Sequence, residues 1–211
     1  MRKYYKLFFL VFLGFNISSV FAISIPDPTE QTIILVRDHQ IAASEMIGME
    51  VSVNNISTAK WDGSSASGAG WKLTHLGTDT IGGRWTLTNT GLDPINSVVF
   101  DAFTANSVFD QEFFPSDAVS TENSAGGDFD FTKGIEPDHE FIGKVKLAGS
   151  TTAKGDLYRW LSFDFSGLGG LKSDEFVEFI ADTDQVLVPL PSGIILFLSG
   201  VLSLVGLKRR K

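Results

Sequence analysis

Short runs of alternating apolar and polar residues dominate the middle of the chain, and Gly, Ser, Asn and Asp separate them. Period-two alternation puts one set of side chains on a buried face and the next in solvent, so such runs predict half-buried β-strands. Ile47, Met49, Val51 and Val53 line up on one face of residues 46–53, opposite Glu50 and Ser52. Trp71, Leu73 and His75 alternate with Lys72 and Thr74, and Trp85 and Leu87 alternate with Thr86 and Thr88. Residues 32–36, 98–103, 140–147, 157–165 and 176–181 are further strand candidates. Residues 63–70, Gly82-Gly83, Asp93-Pro94, Gly126-Gly127 and residues 167–170 carry the composition of turns. No run before the C-terminal segment keeps the 3.6-residue period of an amphipathic helix, and nothing repeats at a fixed spacing. The pattern predicts an all-β fold, a single β-sandwich of jelly-roll-like type. The chain's 18 Phe and 4 Trp suit its pleated, half-buried surfaces.

The two ends read differently. Residues 1–22 have the layout of a secretory signal peptide: Arg2, Lys3 and Lys6, then an apolar run, then Val20-Phe21-Ala22. Cleavage is expected after Ala22; an uncleaved anchor is the alternative, and the apolar run is short for one. At the other end, residues 188–211 combine three parts in order: Val188-Pro189-Leu190-Pro191, an uncharged apolar stretch over 192–207, and Lys208-Arg209-Arg210-Lys211. As a helix rising 1.5 Å per residue the stretch is about 24 Å long, enough to cross a bilayer with local thinning and snorkelling lysines. Terminal cations stay on the cytoplasmic side, which places residues 23–187 outside. The expected organisation is therefore signal peptide, β-sandwich ectodomain and C-terminal transmembrane helix.

Charge supports this division. Of 17 basic residues, three lie in the first six positions and four in the last four, so ten face 25 acids between them. A body this acidic repels phosphate backbones, which argues against nucleic acid as a partner. With no Cys, disulfides, thiol nucleophiles and thiolate metal sites are excluded.

The tripartite tail resembles the PEP-CTERM class of sorting signals, and Val188-Pro189-Leu190-Pro191 is similar to its VPLPA variant, with Ser192 where that family has Ala. The resemblance implies an exosortase substrate of a Gram-negative bacterium. The precursor would be anchored transiently in the inner membrane. It would then be cut near Pro191 and delivered to the cell surface or the extracellular space, with exopolysaccharide or biofilm matrix as its setting. A plain uncut anchor is the alternative. The order Trp61, Trp71-Lys72-Leu73, Trp85 to Asn89, Ser107 to Asp110, Gly155 to Tyr158 and Ala181 to Asp184 is similar to uncharacterised extracellular domains carried by such proteins. That likeness implies no activity.

Chemistry is sparsely signposted. The three His (His39, His75 and His139) sit in no nucleophile or zinc motif, and Ser64, Ser65 and Ser67 lie in a Gly/Ser stretch rather than a strand-turn-helix elbow, so no enzyme is expected. Two other site types have candidates. Trp61, beside Asp62 and the Gly/Ser stretch, and Trp160, in alternation with Tyr158 and Ser162, are the candidates for aromatic platforms of a carbohydrate-binding module. Asp128 with Asp130, then Glu136, Asp138 and Glu140, then Asp182 with Asp184, are candidate ligand groups for calcium, as in a calcium-stabilised adhesin, with the two aspartate pairs foremost. In an extended chain Asp128 and Asp130 point to one face, with Phe129 and Phe131 opposite, and Asp182 and Asp184 are expected just past a strand, where backbone carbonyls are free to coordinate. A solvated acidic surface is the competing reading of the same residues.

Overall fold

The computed structural model describes residues 31–33, 36–111, 127–147 and 157–186. The readings of residues 1–22 and 188–211 lie outside them. Among the described residues there are three short 3-10 turns and no helix long and apolar enough to cross a membrane.

The strands are β1 (Gln31–Ile33), β2 (Val36–Gln40), β3 (Glu50–Val53), β4 (Ser57–Lys60), β5 (Ser65–Gly68), β6 (Trp71–Leu76), β7 (Arg84–Asn89), β8 (Ser97–Asp101), β9 (Ser107–Asp110), β10 (Asp130–Gly134), β11 (Asp138–Leu147), β12 (Leu157–Asp164), β13 (Phe176–Ile180) and β14 (Thr183–Val186). They form two sheets. The larger runs β2-β14-β9-β12-β8-β3-β4, with β11 also on β12 and β1 on β11; the smaller runs β10-β13-β7-β6-β5. All pairings are antiparallel except that of β1 with β11. The two sheets pack as an all-β sandwich.

Alternation explains most of the packing. Trp71 and Leu73 of β6, and Trp85 and Leu87 of β7, are buried, while Lys72 is exposed. These four side chains face Val51, Val53, Val98, Phe100, Leu161 and Phe163 in one hydrophobic core. Aromatic rings join the layers: Phe179 of β13 meets Phe163 of β12 edge to face at 4.8 Å and Phe100 of β8 at 5.5 Å. Edge-to-face contacts of this kind add directional preference to ordinary area burial.

Three predicted features change. Strand residues 98–103 end at Asp101, whose carboxylate accepts from the Phe103 N–H and starts a 3-10 turn over Ala102–Ala105. Ile47 is exposed, because a turn precedes β3 and only Met49, Val51 and Val53 of the expected face are buried. The Gly/Ser stretch 63–70 is not merely a turn. Asp62 Oδ1 accepts from the backbone N–H groups of Ser64 and Ser65, at 2.7 Å each, and this local turn feeds β5 into the smaller sheet.

β12 is the central strand. β11 covers one edge along Asp138 to Lys144, and β8 and β9 lie end to end along the other. One face of β12 looks into the core and Arg159 and Gly143 lie against Trp160, and six of its eight residues are buried despite their apparent alternation. β8, β9 and β14 also fix directions. β14 is antiparallel to β9, and β9 is antiparallel to β12. β14 therefore runs parallel to β12, towards the end of the sandwich where β12 stops at Asp164.

Candidate functional site: a buried acidic junction

At the opposite end of the sandwich, several chain segments meet around carboxylates. β9 ends in Asp110, β14 is entered through Asp182, and Asp184 lies two residues further on; all three are buried. Antiparallel pairing brings them together, since the Asp110 N–H donates to the Asp182 carbonyl at 3.1 Å and Val108 pairs with Asp184. Asp182 Oδ1 accepts from the Thr183 N–H at 2.8 Å, and Oδ2 accepts from the Gly127 N–H at 3.0 Å. Gly127 is held there by its bridge to Gln111, the residue after Asp110.

Thr80, in the connection between β6 and β7, completes the junction. Its N–H donates to the Ile41 carbonyl at 3.1 Å. Its hydroxyl lies 3.0 Å from that of Thr183 and 3.4 Å from Asp182 Oδ1. Thr183 reaches Met46 Sδ at 3.2 Å. Segments distant in sequence are thus stitched by polar contacts inside an otherwise apolar body.

The electrostatic consequence is specific. Removal from water, and then the neighbouring Asp110, push the Asp182 carboxyl up to about 6 from an ordinary 3.8, against the hydrogen bonds from Thr183, Gly127 and Thr80. The junction can therefore take up a proton in mildly acidic conditions. Among the described residues no group of three or more His, Asp or Glu is placed to hold a metal ion.

The candidate calcium ligands divide. Asp182 and Asp184 go into the junction. Asp128 precedes β10 and Asp130 opens it, both exposed, and their neighbours Phe129 and Phe131 turn inward, edge to face at 4.9 Å, to pack against the core. The alternation read from the sequence is real there, but the two aspartate pairs do not converge on one site among the described residues.

Both aromatic-platform candidates are corrected. Trp61 is 1% exposed; its indole N–H donates to the Ala43 carbonyl at 2.7 Å and its ring meets Trp85 at 4.9 Å. The Gly/Ser stretch does not leave it open, because the indole is held between the Trp85 ring and the turn at Ala43–Glu45. Trp160 is 2% exposed. The Arg159 guanidinium covers its ring at 4.3 Å while forming a fork with the Asp101 carboxylate, Nε to Oδ1 at 3.1 Å and Nη2 to Oδ2 at 2.7 Å. Gly143, at φ +74°, lies against the ring where a Cβ would clash. Neither indole offers a face to a sugar ring.

His75 and His139 are packing groups. His75 sits 4.6 Å from the Trp85 ring and His139 stacks on Phe129 at 4.4 Å. Burial lowers the affinity of both imidazoles for a proton, and Asp79 and Asp138 respectively oppose that shift. Neither hydrogen-bonds a serine among the described residues. No family model, curated protein or solved structure matches the chain.

Proposed function

We propose that the protein is an exported, non-enzymatic surface or matrix protein whose jelly-roll-like body is displayed and then released through its C-terminal segment. The observation that carries this reading is the ordered tail: the paired prolines of 188–191, the apolar stretch 192–207 and the four terminal cations, opposite a charged and apolar N-terminus. An exosortase-type enzyme is the processing partner, and exopolysaccharide the setting.

The body supports a structural rather than a catalytic role. Its four tryptophans are spent on the core, His75 and His139 pack against rings, and the buried Asp182 is bonded into a junction that ties chain segments together. The strand path also suits a jelly-roll-like winding, because the chain crosses between the sheets repeatedly, from β4 to β5, β7 to β8, β9 to β10, β10 to β11, β12 to β13 and β13 to β14. A carbohydrate-binding role would need aromatic faces other than Trp61 and Trp160.

The test compares the protein's mass and membrane fraction in cells with and without the processing enzyme. Loss of residues beyond about position 191, and release from the membrane, are expected only when the enzyme is present. Full-length, membrane-bound protein in both strains rejects the sorting function.

A further inference from the structure

The end of the sandwich remote from the acidic junction carries exposed apolar side chains on three loops. Leu92, between β7 and β8, is 93% exposed; Ile56, in the β3–β4 turn, is 84% exposed; Leu168, after β12, is 50% exposed. The loops are laced to one another. Asn54 Nδ2 donates to the Pro94 carbonyl at 3.2 Å, and the Asn96 N–H donates to Asn54 Oδ1 at 2.7 Å. The Phe165 N–H donates to the Asn96 carbonyl at 2.8 Å, and Ile95 bridges Leu171. Ile47 and Leu76 are also exposed, towards the opposite end; Ile56, Leu92 and Leu168 differ in standing on loops that are hydrogen-bonded to one another.

The exit of the chain says what covers this end. β14 runs towards it and stops at Val186, whose N–H donates to the Asn106 carbonyl. By register, Gln185 faces Ser107 while Phe109 faces both Thr183 and Tyr158, so Val186 lies level with about residue 161 of β12. About three residues, or about 10 Å, separate that level from the end of β12 at Asp164. Residues 187–191 reach at most about 18 Å before the apolar stretch 192–207 begins. A bilayer entered by that stretch must therefore lie close to the body, on the side to which β14 points.

We propose that Ile56, Leu92 and Leu168 dip into the interface of the bilayer that holds the C-terminal segment, seating the body upright on the membrane before release. This inference rests on the anchored precursor proposed above. The charges nearby, Asp93, Asp164, Asp174 and Glu175 against Lys172, are mostly acidic. Contact is thus apolar rather than electrostatic, and neutral headgroups are favoured over anionic ones.

The natural chain has no Cys, so single cysteines give unique labels. Full-length protein is reconstituted into phosphatidylcholine vesicles with an environment-sensitive dye at Asp93→Cys or Ser173→Cys, or at Thr78→Cys on the opposite end. Flotation reads the anchor, and quenching by headgroup-region spin-labelled lipid reads the seating. Quenching about three-fold stronger at positions 93 and 173 than at 78 is expected. It should fall to the level of position 78 in the combined I56S, L92S and L168S variant, which still floats, and weaken when phosphatidylglycerol is added. Equal quenching at both ends in floating protein overturns the seating alone. Protein that fails to float overturns the anchor and the seating with it. Shielding accompanied by energy transfer between labelled copies assigns the end to a second copy of the chain and also overturns the proposal.

Discussion

Replacing Asp182 with Asn removes one ionisation from the acidic junction while leaving its shape. In the folded protein the Asp182 carboxyl is raised to about 6, against 3.8 unfolded. A raised carboxyl binds its proton more tightly when folded, so its contribution to stability is complete below about 3.8 and is lost as pH rises through about 6. At 1.36 kcal/mol per pH unit the loss is about 3 kcal/mol. The variant keeps an acceptor for Thr183 and Thr80 but presents an amide to Gly127, costing about 1–2 kcal/mol at every pH. Asp182→Asn should therefore begin below the natural protein at pH 4, gain on it with rising pH, and cross it before pH 7.5. Urea unfolding across this range measures the difference directly. Taking the difference between the two proteins cancels the contributions of other groups, including His75 and His139, whose lowered affinities act in the opposite sense over part of this window. A constant offset between the two proteins, with no gain from pH 4 to 7.5, refutes the coupling of Asp182 to Asp110 and to burial.

Two further substitutions test the reassigned aromatics. Trp61→Ala empties a site walled by Trp85 and strips the Ala43 carbonyl of its indole donor, so a loss of about 3–5 kcal/mol in denaturant unfolding is expected; a loss below about 1 kcal/mol would mean the indole is not core. Arg159→Lys keeps the charge but breaks the fork on Asp101 and uncovers Trp160, and about 1–3 kcal/mol should be lost, with a red shift in tryptophan emission as water reaches the ring.

The larger part of the fold was legible because pleated strands write their faces into sequence. Trp71 with Leu73, Trp85 with Leu87, and Phe129 with Phe131 point where period two puts them. What escaped was set by neighbours in space. The run 158–163 alternates convincingly, yet Arg159 and Gly143 lie against Trp160, and Trp160 and Ser162 are buried along with Leu161 and Phe163. β5 was hidden by its composition: Ser65 to Gly68 carries no apolar stripe, and only the Asp62 turn before it and pairing with β6 make it a strand.

The acidic junction escaped for a related reason, and the residues around it held a faint signal. Aspartates two apart share a face, and Asp182 and Asp184 do; sequence gives no hint that β9 will lay Asp110 and Val108 against them. In β9 all four residues, Ser107, Val108, Phe109 and Asp110, are buried. An acid closing a strand with no solvent-facing position must itself go inside, and there the cost of its charge falls unless a donor or a shared proton meets it. Gly127, Thr183 and Thr80 supply donors to Asp182, and the proton is the remaining instrument. The chain thus places its acid-sensitive group at the join between β9 and β14, the strand that leads towards the C-terminal segment. Because the folded state holds this proton the more tightly, the join is firmest in acid and loosens as pH rises, at the end of the sandwich remote from Ile56, Leu92 and Leu168.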